Sequence, residues 1–144
     1  MLAEKKLENL LRHFGLKVTE TRMKVLNVLV QSKVALTHSD ISSRIGDDQL
    51  DKVTLYRTLN TFVKSGLAHK VATENRKWLY ALLLSKSNHS LEANEHAHFI
   101  CDVCGRIYCL PLAFSNCEPA TDRESGFIIR SHEHRLHGIC PDCQ

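Results

Sequence analysis

The chain has 144 residues, a net charge of +3, 43% hydrophobic content and six cysteines. That length holds one domain of ordinary size or two small ones, and small domains commonly need a metal, a disulfide or a partner for stability. No apolar run approaches the roughly 18 residues of a membrane span, and the amphipathic start MLAEKKLENLLRHFGL lacks the uninterrupted apolar core of a secretory signal. The expectation is a soluble, cytoplasmic protein whose thiols stay reduced, so that paired cysteines hold metal rather than form disulfides. Residues 1–84 carry 14 Lys/Arg against 8 Asp/Glu, a net of +6, and residues 85–144 carry 5 against 8, a net of −3. A polyanionic partner is therefore expected to face the first part alone.

In chain order, Leu7, Leu10, Leu11 and Phe14 fall at helical spacing before Gly15, which predicts a first helix over 4–14. Thr19 caps a second, with Met23, Val25, Leu26, Leu29 and Val30 as its apolar stripe. Thr37-His-Ser-Asp40 has the capping-box pattern and opens a short third helix carrying Ile41 and Ile45 before Gly46. Asp51 caps a fourth, in which Val53, Leu55, Leu59, Phe62 and Val63 are apolar positions and Gly66 is the stop. The period then changes: residues 67–72 and 78–83 read as strands joined by the polar turn TENRK. Helices followed by a hairpin make a winged helix-turn-helix domain over 1–84. The polar stretch 85–95 reads as a linker between domains, and 96–144 as a small second domain. Within it, HAHFIC, RIYCL and FIIRSHEHRLHGIC are expected as strands, and 111–125 as partly helical, limited by Pro111 and Pro119. The fold class is α+β.

Cys101-Asp-Val-Cys104 and Cys140-Pro-Asp-Cys143 are two C-x-x-C units, each able to turn two sulfurs onto one ion, and four thiolates suit a tetrahedral structural zinc. Gly105, directly after the first unit, is expected to relieve crowding there. A redox dithiol would need one pair in a βαβ setting. A zinc deaminase would need H-x-E followed by P-C-x-x-C, and here the proline lies inside the second pair. No serine, cysteine or carboxylate constellation points to catalysis, so no enzyme activity and no small-molecule substrate are expected. Cys109 and Cys117 lie outside both units, with burial as small apolar residues the ordinary reading.

Four segments, taken in order, resemble the ferric uptake regulator family along nearly the whole chain. GLKVTETRMKVLNVL is similar to its entry into the second helix, VTLYRTLNTFVKSGL to its recognition helix, HAHFICDVCGRIYCL to its H-x-H-x-I-C-x-x-C-G knuckle, and HEHRLHGICPDC to its closing strand and second cysteine pair. The resemblance implies a homodimeric transcriptional repressor that binds a palindromic operator in double-stranded DNA with metal as corepressor, 85–95 being its hinge linker and 96–144 its small α/β metal-binding dimerisation domain.

On the fourth helix, Lys52, Thr54, Tyr56, Arg57 and Thr58 cluster at the end that a helix-turn-helix directs at base edges. Arg57 has the planar fork that grips guanine or phosphate, and Tyr56 can touch a thymine methyl. Arg22, Lys70, Arg76 and Lys77 are candidate phosphate contacts.

Six of the nine histidines lie between 89 and 137, and His96 and His98 alternate along a strand as a two-imidazole bite that matches the family's sensory pair. The remaining ligands depart from the family. Ala35 stands where a histidine or glutamate is expected, with His38 three residues on, and Ala81 stands at the end of the wing. The linker offers His89, Glu92 and Glu95, and Cys109 replaces a common glutamate. His132 matches a second family site, but Ala97 replaces that site's acid; His134 and His137 are without an assigned role. Thiolate with imidazole favours zinc over iron or manganese. A zinc-uptake type with regulatory zinc is therefore expected. Its alternatives are iron- or manganese-loaded protein, a peroxide sensor, and a zinc-stabilised DNA-binding protein that senses no metal.

Overall fold

The computed structural model describes residues 3–46, 48, 50–73, 75–82, 97–110, 126–128 and 134–144. The chain forms two compact units, Met1–Ser90 and Leu91–Gln144.

The first unit opens with α1 (Glu4–His13), α2 (Glu20–Gln31), β1 (Leu36–Thr37), α3 (His38–Ile45) and α4 (Lys52–Ser65), followed by the hairpin β2 (Ala68–Ala72) and β3 (Trp78–Leu82). The caps expected from sequence are in place. The Thr19 side chain accepts from the Arg22 amide, Thr37 and Asp40 form a reciprocal capping box, and Gly66 ends α4 in the left-handed conformation at φ 83°. The first two satisfy amides that the first helical turn leaves unpaired, and the Gly66 amide donates to the Val63 carbonyl in the last turn. β1 was not expected. Its two residues pair antiparallel with β3 (Leu36 with Tyr80, Thr37 with Leu79), giving the order β1-β3-β2. Two residues are too few to show a period, so their only signal was the edge of β3 that they occupy.

The core of this unit gathers Leu11, Val25, Leu26, Ile41, Leu55, Leu59, Phe62 and Leu67 from all four helices and the hairpin base. Val53, expected in the apolar stripe of α4, is instead 57% exposed. It sits in the first turn, before the helix has reached the core.

In the second unit β4 (Ala97–Cys101) is central, antiparallel to β5 (Ile107–Leu110) and parallel to β6 (His134–Gly138). A short 3-10 turn, Pro141–Cys143, follows. The third strand is shorter than expected: Phe127 and Ile128 are exposed and belong to no strand. Gly138 lies where an added Cβ would come within 3.2 Å of the Phe99 ring, so β6 approaches β4 closely at that point. The linker 85–95 and the partly helical segment expected over 111–125 lie outside the described residues.

Candidate metal centre and nucleic-acid face

β4 ends at Cys101, and a tight turn carries the chain through Cys104 into β5. The Cys101 amide donates to the Arg106 carbonyl at 3.0 Å and the Gly105 amide to the Cys101 carbonyl at 2.9 Å. Gly105 makes this turn possible at φ 71°, and an added Cβ there would meet nothing within 4 Å. The expectation that this glycine relieves crowding is therefore corrected: its role is backbone handedness. The parallel strand β6 delivers Cys140 and Cys143 to the same end of the sheet, tied by the Asp102 amide to the Gly138 carbonyl at 2.8 Å.

One ligand atom from each of Cys101, Cys104, Cys140 and Cys143 lies within 4.8 Å of the others, and all four are free thiols. The Cys104 and Cys140 sulfurs are 3.8 Å apart. A tetrahedron of thiolates about 2.3 Å from zinc has edges of about 3.8 Å, whereas a disulfide would need about 2 Å. The donor set and its spacing fit zinc.

The protonation of the cluster fits too. The Cys104 amide, and then the Cys140 amide at 3.4 Å, donate to the Cys101 sulfur and lower its pKa to about 6. A hydrogen bond from the Tyr108 hydroxyl lowers Cys140 and in turn raises Tyr108. Cys143 is pushed up to about 12, chiefly through its hydrogen bond with Cys140. Without an ion the sulfurs share protons, and a divalent cation is the natural replacement for them. Around the cluster Arg106 pairs with Asp142 at 3.3 Å and His137 Nδ1 lies 3.5 Å from Asp102. Tyr108 and these partners were missed from sequence. The place of Tyr108 on β5 was visible, but the Cys140 sulfur that it reaches follows β6, 32 residues further along the chain.

His98 and Cys109 are directly opposite one another across β4 and β5. Burial pushes the Cys109 thiol up to about 12. His134 begins β6 opposite Ala97. His89, His96, Cys117 and His132 lie outside the described residues. His38 makes a different contact from that of a ligand: its Nε2 is 3.1 Å from the Lys52 carbonyl, which can only accept, so that nitrogen carries the hydrogen. His69, given no role from sequence, is buried in β2 opposite Ala81.

On α4 the expected DNA-facing residues separate into three kinds. Lys52, Tyr56 and Arg57 are exposed, with Tyr56 at 51%. Thr54 is committed to the cap: its amide and hydroxyl both donate to Asp51, at 3.1 Å for the amide. These two bonds, the hydroxyl's first, hold the Asp51 carboxyl below its ordinary range. Thr58 is corrected. It is 8% exposed and its hydroxyl donates to the Thr54 carbonyl at 2.8 Å, so it faces inward and cannot reach a base edge. The helix-turn-helix label overrode the helical period here, since Thr58 lies three residues after buried Leu55.

The ferric uptake regulator family model matches residues 13–136. A ferric uptake regulation protein of Campylobacter upsaliensis is 30% identical over 149 residues, covering 96% of this chain and 86% of the relative. A peroxide-responsive repressor of Staphylococcus aureus is 24% identical, covering 93% of this chain and 86% of the relative. In fold, the chain is similar to a solved zinc uptake regulator complexed with zinc and DNA. The TM-score is 0.71 at 22% identity, covering 97% of this chain and 91% of that one. The chain belongs to the ferric uptake regulator family.

Proposed function

We propose that this protein is a metal-responsive repressor that binds palindromic operator DNA as a homodimer, with a structural zinc on Cys101, Cys104, Cys140 and Cys143 and regulatory zinc as corepressor. The family consists of transcription regulators rather than enzymes, and no helix among the described residues is long and apolar enough to cross a membrane. The single observation that carries the DNA reading is the capped, exposed start of α4, where Lys52, Tyr56 and Arg57 project from a helix whose opposite face is core. A helix-turn-helix reads bases from that end, and a two-fold dimer matches a palindrome.

In this reading residues 1–84 bind DNA, 85–95 are the hinge and 96–144 form the dimer and hold metal. The regulatory ligands are His96 and His98 with His89 and Cys109. The cross-strand placement of His98 and Cys109 supports a thiolate and an imidazole on one ion, a donor set that favours zinc. Bound metal would hold the winged domain at operator spacing and so lower the entropy cost of docking. The names of the curated relatives favour a second reading, iron- or peroxide-responsive control.

One experiment separates the two. Operator affinity is titrated against buffered free zinc, iron(II) and manganese(II), using a duplex selected from a random pool by the metal-loaded protein. Zinc is expected to act at the lowest free concentration. A stronger response to iron would favour the second reading, and unchanged binding by protein that holds only its structural zinc would refute metal sensing.

A further inference from the structure

We infer that His38 is a positioning residue for the DNA-reading helix: its ring N–H, donated to the Lys52 carbonyl, ties the first turn of α4 to the start of α3. This rests on the reading of α4 as a DNA-reading helix. His38 is the first residue of α3 and Lys52 the first of α4, and the His38 Nε2 lies 3.1 Å from the Lys52 oxygen across 14 residues of chain.

The first turn of α4 needs such a tie. The buried face of the helix begins at Leu55 and continues through Leu59 and Phe62, so Lys52 and Val53 stand beyond the core and both are exposed. Asp51 closes this turn through the amide and hydroxyl of Thr54, but that cap binds the turn to itself. The His38 ring binds it to another element. The chain joins α3 to α4 at the Ile45 end of α3, and His38 stands at the opposite end, about 11 Å away along the axis. Two ties from the two ends of α3 fix a direction that one would leave free.

Both partners are suited to the bond. His38, Ile41 and Ile45 fall at i, i+3 and i+7 on α3, so the imidazole ends the stripe that carries fully buried Ile41 and is itself half-buried. A polar ring in such a place needs a partner. On α4 the helical ladder brings the Tyr56 amide to the Lys52 oxygen, whose second lone pair is left for His38. The bond therefore lands on the turn from which exposed Tyr56 and Arg57 project.

Movement of that turn matters unequally for the two kinds of DNA contact. Base-edge hydrogen bonds weaken beyond about 0.5 Å of added length. Phosphate contacts by lysines tolerate more, because the ammonium is a point charge on a flexible stem. His38 should therefore act on sequence preference rather than on general affinity for DNA.

His38→Leu provides the test, because it keeps the α3 stripe apolar and removes the donor. The full-length zinc-loaded variant is compared with the wild type on the selected operator and on a random-sequence duplex, at a temperature where circular dichroism shows both proteins folded. Operator binding is expected to weaken by about fivefold for each half-site, with random-sequence binding unchanged. His38→Gln, whose side-chain amide can donate in place of the ring, should restore most of the operator affinity. Wild-type operator affinity in His38→Leu, while Arg57→Ala loses operator preference, would overturn the role of His38 and leave the α4 reading standing. An equal loss on both duplexes, or no recovery in His38→Gln, would overturn it as well. Operator preference retained in both His38→Leu and Arg57→Ala would overturn both readings.

Discussion

Among the described residues, the first unit buries a core cluster of thirteen side chains drawn from its four helices, β1 and the hairpin with its approach, whereas the second buries Ala97, Cys101, Ile107 and Cys140. Two of those four are cysteines of the four-thiol cluster. A core of aliphatic side chains with Phe62 and Tyr80 tolerates single changes at a graded cost, because each side chain contributes a few kcal/mol at most. A core whose buried sulfurs held an ion would not, because its ion and its packing would be lost together.

The largest expected effect breaks the second unit alone. Chelation of zinc removes a contribution that in small zinc domains is about 10–16 kcal/mol. Amide protection in β4, β5 and β6 should collapse while that of α2 and α4 persists, and protection surviving in β4 would show that its packing is sufficient without the ion. Next in size, Phe62→Ala should destabilise the first unit by about 3–5 kcal/mol and leave zinc content unchanged, as denaturant unfolding and metal analysis would read. Loss of zinc in that variant would mean that the two units do not behave separately.

Smaller still, Arg57→Ala should lower operator affinity by about 1–3 kcal/mol. Thr58→Val, which removes a hydroxyl bonded to the Thr54 carbonyl, should leave that affinity alone. Equal losses from the two would return Thr58 to the interface. The smallest effect is a fraction of a proton. With the Cys101 pKa lowered to about 6, the metal-free sulfur is thiolate above that pH and protonated below it. Zinc uptake should therefore release more protons as pH falls through about 6, by calorimetry in buffers of different ionisation enthalpy. A release independent of pH between 5 and 8, the range that spans this value, would contradict the assignment.

The first unit was largely legible because its signals are local. Thr19, Thr37, Asp51 and Gly66 each act within a few residues, and the apolar period of α2 and α4 runs long enough to read. At Val53 the period misled at one end of the helix, whereas at Thr58 it pointed inward, as the structure has it, and the motif pointed outward. The cysteine cluster was legible from spacing. Its surroundings were not, because the parallel pairing of β4 with β6 and the approach of Tyr108 to Cys140 join segments far apart in sequence. The position of Cys109 opposite His98 likewise depends on strand register, which composition does not carry.

The 36-residue separation between Cys104 and Cys140, whose sulfurs approach to 3.8 Å, has a polymer consequence. Bringing the ends of so long a segment together costs about 3 kcal/mol of chain entropy beyond the constant term. The parallel pairing of β4 with β6 gives no short hairpin from which to zip the segment closed. An ion that met both ends would therefore be a reactant in folding, and completion of the second unit would then depend on available zinc, while the first unit would fold at a pace set by its own local contacts.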